Sequence, residues 1–142
     1  MITKVLLVDD EKDFVDTLSE RLKIRDLDVS VSYTGKDALE IIKNDDIDVI
    51  VLDVMMPEMT GSQALKIIKD IKPLTQVIML TGAATVETAI EGMKSGAFDY
   101  LLKPISTEDL VKKIQEAKAI KKEQDERIRK AEISNILKRK GW

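Results

Sequence analysis

Asp9, Asp10, Asp53, Thr81 and Lys103 are the residues of this sequence whose types and placement could do chemistry. Each stands at or just past the end of a short apolar run: VLLV at 5–8, VIVL at 49–52, VIML at 77–80 and YLL at 100–102. Carboxylates gathered in one place repel one another and resist joint ionisation unless a cation joins them. An oxygen-rich site with two direct carboxylates and room for water suits Mg²⁺, and Mn²⁺ would serve in its place. A nearby lysine supplies a point charge for a phosphate oxygen. The set fits phosphoryl transfer, in which catalysis is mostly positioning and charge neutralisation. A carboxylate can itself be the nucleophile, giving an acyl phosphate. The chain has no Cys and no His, which excludes a disulfide framework, a thiolate metal site and an imidazole base.

The elements that must position these residues alternate. Short β-rich runs and helical patterns follow one another along the chain, which predicts an α/β fold with a parallel sheet covered by helices on both faces. The strands are expected at Lys4 to Val8, Val29 to Tyr33, Val49 to Asp53, Val77 to Thr81 and Tyr100 to Leu102. Three of them are continuous apolar runs, as strands buried on both faces are, whereas VSVSY alternates like a strand nearer an edge. Phe14, Leu18 and Leu22 recur at helical spacing, as do Ala64, Ile67, Ile68 and Ile71. Leu39 with Ile42, and Ala89 with Ile90 and Met93, predict two further cover helices. A fifth helix should start at Ser106 or Thr107, with Glu108 and Asp109 at its positive end, and run to about Lys140. In such a sheet, ligands gather beyond the carboxyl ends of the strands, where the five residues above fall.

A length of 142 residues suits one compact domain. Charge is uneven: residues 1–116 carry 14 Lys and Arg against 22 Asp and Glu, and residues 117–142 carry 9 against 4. The globular pattern thins near Ala117, so the expected division is a domain over 1–120 and a basic helical tail or linker over 121–142. Acids interleave with bases in that tail, as on a solvated helix, so no direct nucleic-acid partner is expected. Ile114, Ala117, Lys121, Gln124, Ile128 and Ala131 follow a broken heptad-like spacing. That spacing fits a protruding helix, a linker or a weak oligomer seam. The first residues run straight into a strand pattern without a basic leader, and no apolar run approaches a membrane span. The expectation is a cytoplasmic protein with no membrane partner.

VLLVDDE at 5–11, DVMMP at 53–57, LTG at 80–82 and FDYLLKP at 98–104 resemble the receiver domain of two-component response regulators. The likeness spans roughly residues 3–120, in order and at family spacing. TGAATVETAI and GAFDYLLKP are most similar to receivers of transcriptional regulators that carry an ATPase module. The resemblance implies a doubly wound, flavodoxin-like five-stranded sheet of order 2-1-3-4-5 with five helices, the last one extended. It implies that Asp53 accepts a phosphoryl group from a sensor histidine kinase or a small phosphodonor. Asp10 and Asp53 would hold Mg²⁺ directly with the Met55 backbone carbonyl, and Asp9 mainly through water. Lys103 would pair with the phosphoryl group, Thr81 would close onto it, and Tyr100 would turn inward as a switch. The Lys103–Pro104 bond would be cis. The surface of the fourth helix, fifth strand and fifth helix would then signal to a downstream protein or a second copy. Such a domain catalyses only its own phosphorylation and dephosphorylation, and Met55 and Ala83, which cannot orient water, imply slow dephosphorylation.

Taken singly, each residue has a plainer reading: a helix cap or turn for an Asp, a strand-end hydroxyl for Thr81, an edge aromatic for Tyr100, a solvated lysine for Lys103. Pro57 and Gly61 read as turn residues, and Met55 and Met56 as gap-filling methionines. Other classes fit less well. A receiver that has lost phosphorylation would lack some of these residues. A phosphohydrolase working through an aspartyl phosphate needs a second acid where Met55 stands. A flavodoxin would want Ser, Thr and Gly where this chain has Asp9, Asp10 and Glu11.

Overall fold

The computed structural model describes residues 2–82 and 85–141. Among them are β1 (Lys4–Val8), α1 (Lys12–Ile24), β2 (Asp28–Ser32), α2 (Gly35–Asn44), β3 (Val49–Leu52), α3 (Gly61–Ile71), β4 (Gln76–Thr81), α4 (Val86–Lys94), β5 (Asp99–Leu102) and α5 (Thr107–Arg139). All strand pairings are parallel and the sheet order is β2-β1-β3-β4-β5. The alternating run expected near an edge is the edge strand β2. It starts one residue earlier than its apolar pattern, because Asp28 pairs with Lys4 and its N–H donates to Thr3 O. Likewise β3 stops at Leu52, β4 begins at Gln76 and β5 at Asp99.

The two faces of the sheet carry separate cores. Leu6, Val8, Ile50, Leu52, Val77 and Met79 pack under α2 and α3, which contribute Ala38, Ile42, Leu65 and Ile68. Val5, Leu7, Val49, Val51, Ile78 and Leu80 pack under α1 and α5, through Val15, Leu22, Leu110 and Ile114. Helix starts follow local chemistry. Thr34 caps α2, Thr60 and Gln63 form a capping box on α3, Thr85 and Thr88 form one on α4, and Ser106 caps α5.

Three helical faces differ from the sequence pattern. On α3 the inward residues are Ala64, Leu65 and Ile68, while Ile67 and Ile71 stand at the rim. On α4 the expected core residues Ile90 and Met93 are 50% and 46% exposed, and the buried contact is Gly92. A Cβ on Gly92 would lie 3.1 Å from the Tyr100 ring, so the aromatic of β5 fills the space that apolar α4 side chains would otherwise take. On α5, Ile114, Ala117 and Lys121 are buried against this chain's own sheet. Lys121 and Lys118 pair with the buried Asp48 just before β3, at 3.4 and 2.8 Å, and Lys121 also pairs with Asp125 at 3.2 Å. The first half of the heptad-like seam is thus consumed inside the domain. Side chains are uniformly exposed from Glu126 to Gly141.

Candidate functional site

The register of the sheet brings the site together. Val8 lies beside Leu52 in the β1–β3 ladder, and Thr81 beside Leu102 in the β4–β5 ladder. Each ladder continues one residue further: Asp53 N–H donates to Val8 O at 2.9 Å and Lys103 N–H to Thr81 O at 2.8 Å. Asp9 N–H donates to Ser32 O at 3.1 Å. These side chains therefore leave strand ends whose backbones are still held by the sheet, which limits their reach to one small volume.

Within that volume, carboxylate oxygens of Asp9, Asp10 and Asp53 all lie within 4.8 Å of one another, with Asp9 and Asp53 buried and Asp10 exposed. The Lys103 ammonium sits 2.7 Å from Asp9 Oδ2 and 3.0 Å from Glu11 Oε1, and 4.3 Å from the centre of the Phe14 ring. Burial, followed by the charge on Asp9, raises the Asp53 carboxyl from 3.8 to about 6; Lys103 and the N–H groups of Met55 and Val54 oppose this. Burial disfavours the charged Lys103, but hydrogen bonds to Asp9 and Glu11 and the charge on Asp53 outweigh it and hold the lysine above its ordinary range. A carboxylate cluster with one partner raised toward neutrality is undercharged with cations, and the all-oxygen donor set fits a hard divalent ion. The cluster is a possible metal site.

The other expected residues are more spread. Thr81 is buried at the last position of β4. Tyr100 is half-buried beneath α4, its hydroxyl donating to Thr88 Oγ1 at 3.1 Å. Met55 is 64% exposed, and its N–H donates to Asp53 Oδ1 at 3.4 Å, whereas Met56 is buried in the core. The Lys103–Pro104 peptide bond is cis. Gly61 does more than turn the chain: a Cβ there would lie 2.3 Å from Asp53 O and 2.7 Å from Val54 Cα, and its N–H donates to Val54 O. Ala83 lies outside the described residues. Two partners of Lys103 were not singled out from sequence as such: Glu11 sits beside the acidic pair, and Phe14 carried only a helical-core signal.

The model of the response regulator receiver domain matches residues 5–115. This chain belongs to that family. The receiver is 35% identical over 125 residues to regulatory protein AtoC of Escherichia coli (strain K12), covering 86% of this chain and 27% of that protein. It thus spans about a quarter of the length of that curated relative. Among solved structures, it superposes on a CheY-like receiver domain protein from Methanospirillum hungatei JF-1 with a TM-score of 0.84 at 27% identity, covering 87% of this chain and 99% of the other. The beryllofluoride-activated NtrC4 receiver domain dimer is similar at a TM-score of 0.79 and 36% identity, over 83% and 98% of the two chains. The receiver is a signalling domain of two-component response regulators, and no helix among its described residues is long and apolar enough to cross a membrane.

Proposed function

We propose that Asp53 accepts a phosphoryl group and that the receiver changes its α4–β5–α5 surface in response. The observation that carries this reading is the gathering of Asp9, Asp10 and Asp53 within 4.8 Å at strand ends, with Lys103 2.7 Å from Asp9. A carboxylate oxygen of Asp53 attacks the phosphorus of a sensor kinase's phosphohistidine or of a small acyl phosphate. The new O–P bond forms as the donor's N–P or O–P bond breaks, and the bonding electron pair leaves with the donor. Asp10, Asp53 and the Met55 carbonyl would hold Mg²⁺ or Mn²⁺, with Asp9 acting mainly through water. The ion supplies charge neutralisation for the carboxylates and the transferring group. Lys103 pairs with the phosphoryl oxygens, and Thr81 closes on them through its hydroxyl.

Closure at Thr81, together with the Tyr100 switch, alters the face built by α4, β5 and α5. Val86, Ile90 and Met93 of α4 and Leu102 of β5 are exposed, apolar side chains that suit a downstream protein or a second copy. The acids interleaved with the bases of the tail argue against a direct nucleic-acid partner. The chain acts in the cytoplasm, where its kinase partner presents phosphohistidine.

Intact mass decides the reading. A small phosphodonor with Mg²⁺ should add one phosphoryl group to wild type and none to Asp53→Asn. Undiminished labelling of the Asn variant would overturn the assignment.

A further inference from the structure

Lys103 is held by more than the acid expected to share its site. Both Asp9 oxygens are in use, Oδ1 accepting from Glu11 N–H at 2.9 Å and Oδ2 from the Lys103 ammonium at 2.7 Å. Glu11 Oε1 takes a second ammonium hydrogen at 3.0 Å, and the Phe14 ring lies under the charge at 4.3 Å. Glu11 occupies the N-cap position of α1, where a short polar side chain would normally accept from the first turn. It makes no such side-chain bond. Its carboxylate is turned to the lysine, leaving the helix start uncapped by it. The Lys103 backbone is tethered to Thr81 O, so the side chain pivots from a fixed point, bonded to Asp9 and Glu11 and within reach of the charge on Asp53.

We propose that Glu11 is a positioning residue of the receiver site: with Asp9 it parks the Lys103 ammonium over Phe14, and it competes for that ammonium with the phosphoryl group on Asp53. The second half of this inference rests on the phosphoacceptor reading above; the first half does not. Glu11 is 63% exposed on its side chain, so its hold is that of a partly solvated ion pair. Its removal should change the Lys103 balance by roughly two- to fivefold. Because the pair exists only while the lysine is parked, loss of Glu11 favours the state in which the lysine engages the phosphoryl group.

The test uses the full chain in two measurements. In protein stripped of metal by chelation, the Lys103 side-chain ammonium signal in ¹H–¹⁵N spectra should exchange with water several-fold faster in Glu11→Gln than in wild type. An unchanged exchange rate overturns the parking role. At saturating Mg²⁺, labelling by acetyl phosphate should then run roughly two- to fivefold faster in Glu11→Gln. Glu11→Asp keeps the charge but is one methylene short of the lysine, so it should follow Glu11→Gln in both measurements. If it follows wild type instead, the effect is one of net charge and the positioning role is overturned. If wild type itself takes no label, the phosphoacceptor reading fails, and the ammonium measurement still decides whether Glu11 parks the lysine.

Discussion

The burial that shapes the Asp53 environment has a measurable thermodynamic sign. Its carboxyl is raised from 3.8 to about 6, by burial first and by the neighbouring Asp9 charge second. A carboxyl raised on folding binds its proton more tightly in the folded chain than in the unfolded one. Stability of the metal-free receiver therefore falls as pH rises from about 4 to about 6, and the loss is complete above that window. A two-unit difference corresponds to at most about 3 kcal/mol. Asp53→Asn cannot ionise, so it should be more stable than wild type by roughly 1–3 kcal/mol near pH 7 and equal to it near pH 4. Urea unfolding with a chelator present checks this; equal stabilities near pH 7 would remove the cost assigned to Asp53. Residue types and strand-end placement made Asp9, Asp53 and Lys103 legible in sequence. The pairing of Lys103 with Glu11 was not, because Glu11 stands at the start of α1 and not at a strand end, and nothing local turns its side chain toward Lys103.

Between β3 and α3 the chain returns so closely that one hydrogen atom is all the space at Gly61 allows. A Cβ would fall 2.3 Å from Asp53 O, a backbone atom that cannot yield without moving the strand end. Gly61→Ala is expected to cost roughly 1–3 kcal/mol and, on the phosphoacceptor reading, to slow labelling of Asp53, because the strain is relieved by shifting Asp53 itself. Gly35→Ala is the control, since the atoms nearest its Cβ would belong to the Met59 side chain, at 3.1 Å to the sulfur, and not to backbone. Urea midpoints and labelling rates measured on both variants check this; equal effects would mean that the Asp53 backbone is not held by Gly61. Helix positions followed from capping residues and apolar spacing, but their inward faces did so unevenly. Ile90 and Met93 look like core residues on spacing alone, and it is Tyr100 from β5 that occupies the space beneath α4.

The long α5 joins the domain to its tail, and the body keeps hold of it beyond Ala117. Buried Asp48 accepts from Lys4 N–H at 2.9 Å and pairs with Lys118 and Lys121. Burial disfavours its charge, yet Lys118, the Lys4 N–H and Lys121 outweigh that and hold its carboxyl below the usual range. Cutting the chain after Ala117 removes both ammonium partners and should cost roughly 1–3 kcal/mol, a loss that shrinks as pH falls through the carboxylate range. Cutting after Glu126 leaves these pairs intact and should leave stability unchanged. Thermal unfolding of the two truncations separates the cases, and equal melting temperatures would mean that Asp48 does not anchor α5. Any contribution of the tail to self-association is then read from the longer truncation by sedimentation.

Continuous apolar runs determined the parallel sheet, since a strand covered on both faces has no polar face to show. Asp, Thr and Lys at the ends of those runs pointed to one end of the sheet as the place of a site, since parallel strands all present their carboxyl ends to one side. Ser106 with the acids after it marked the start of α5. Only the tertiary structure decided that Lys121, a polar break in a heptad on sequence, is buried in an ion-pair network, and that Glu11 faces Lys103 instead of capping α1. Periodicity records how much of an element is covered. Which distant group does the covering depends on the packing of elements far apart in the chain, and no local pattern carries that information.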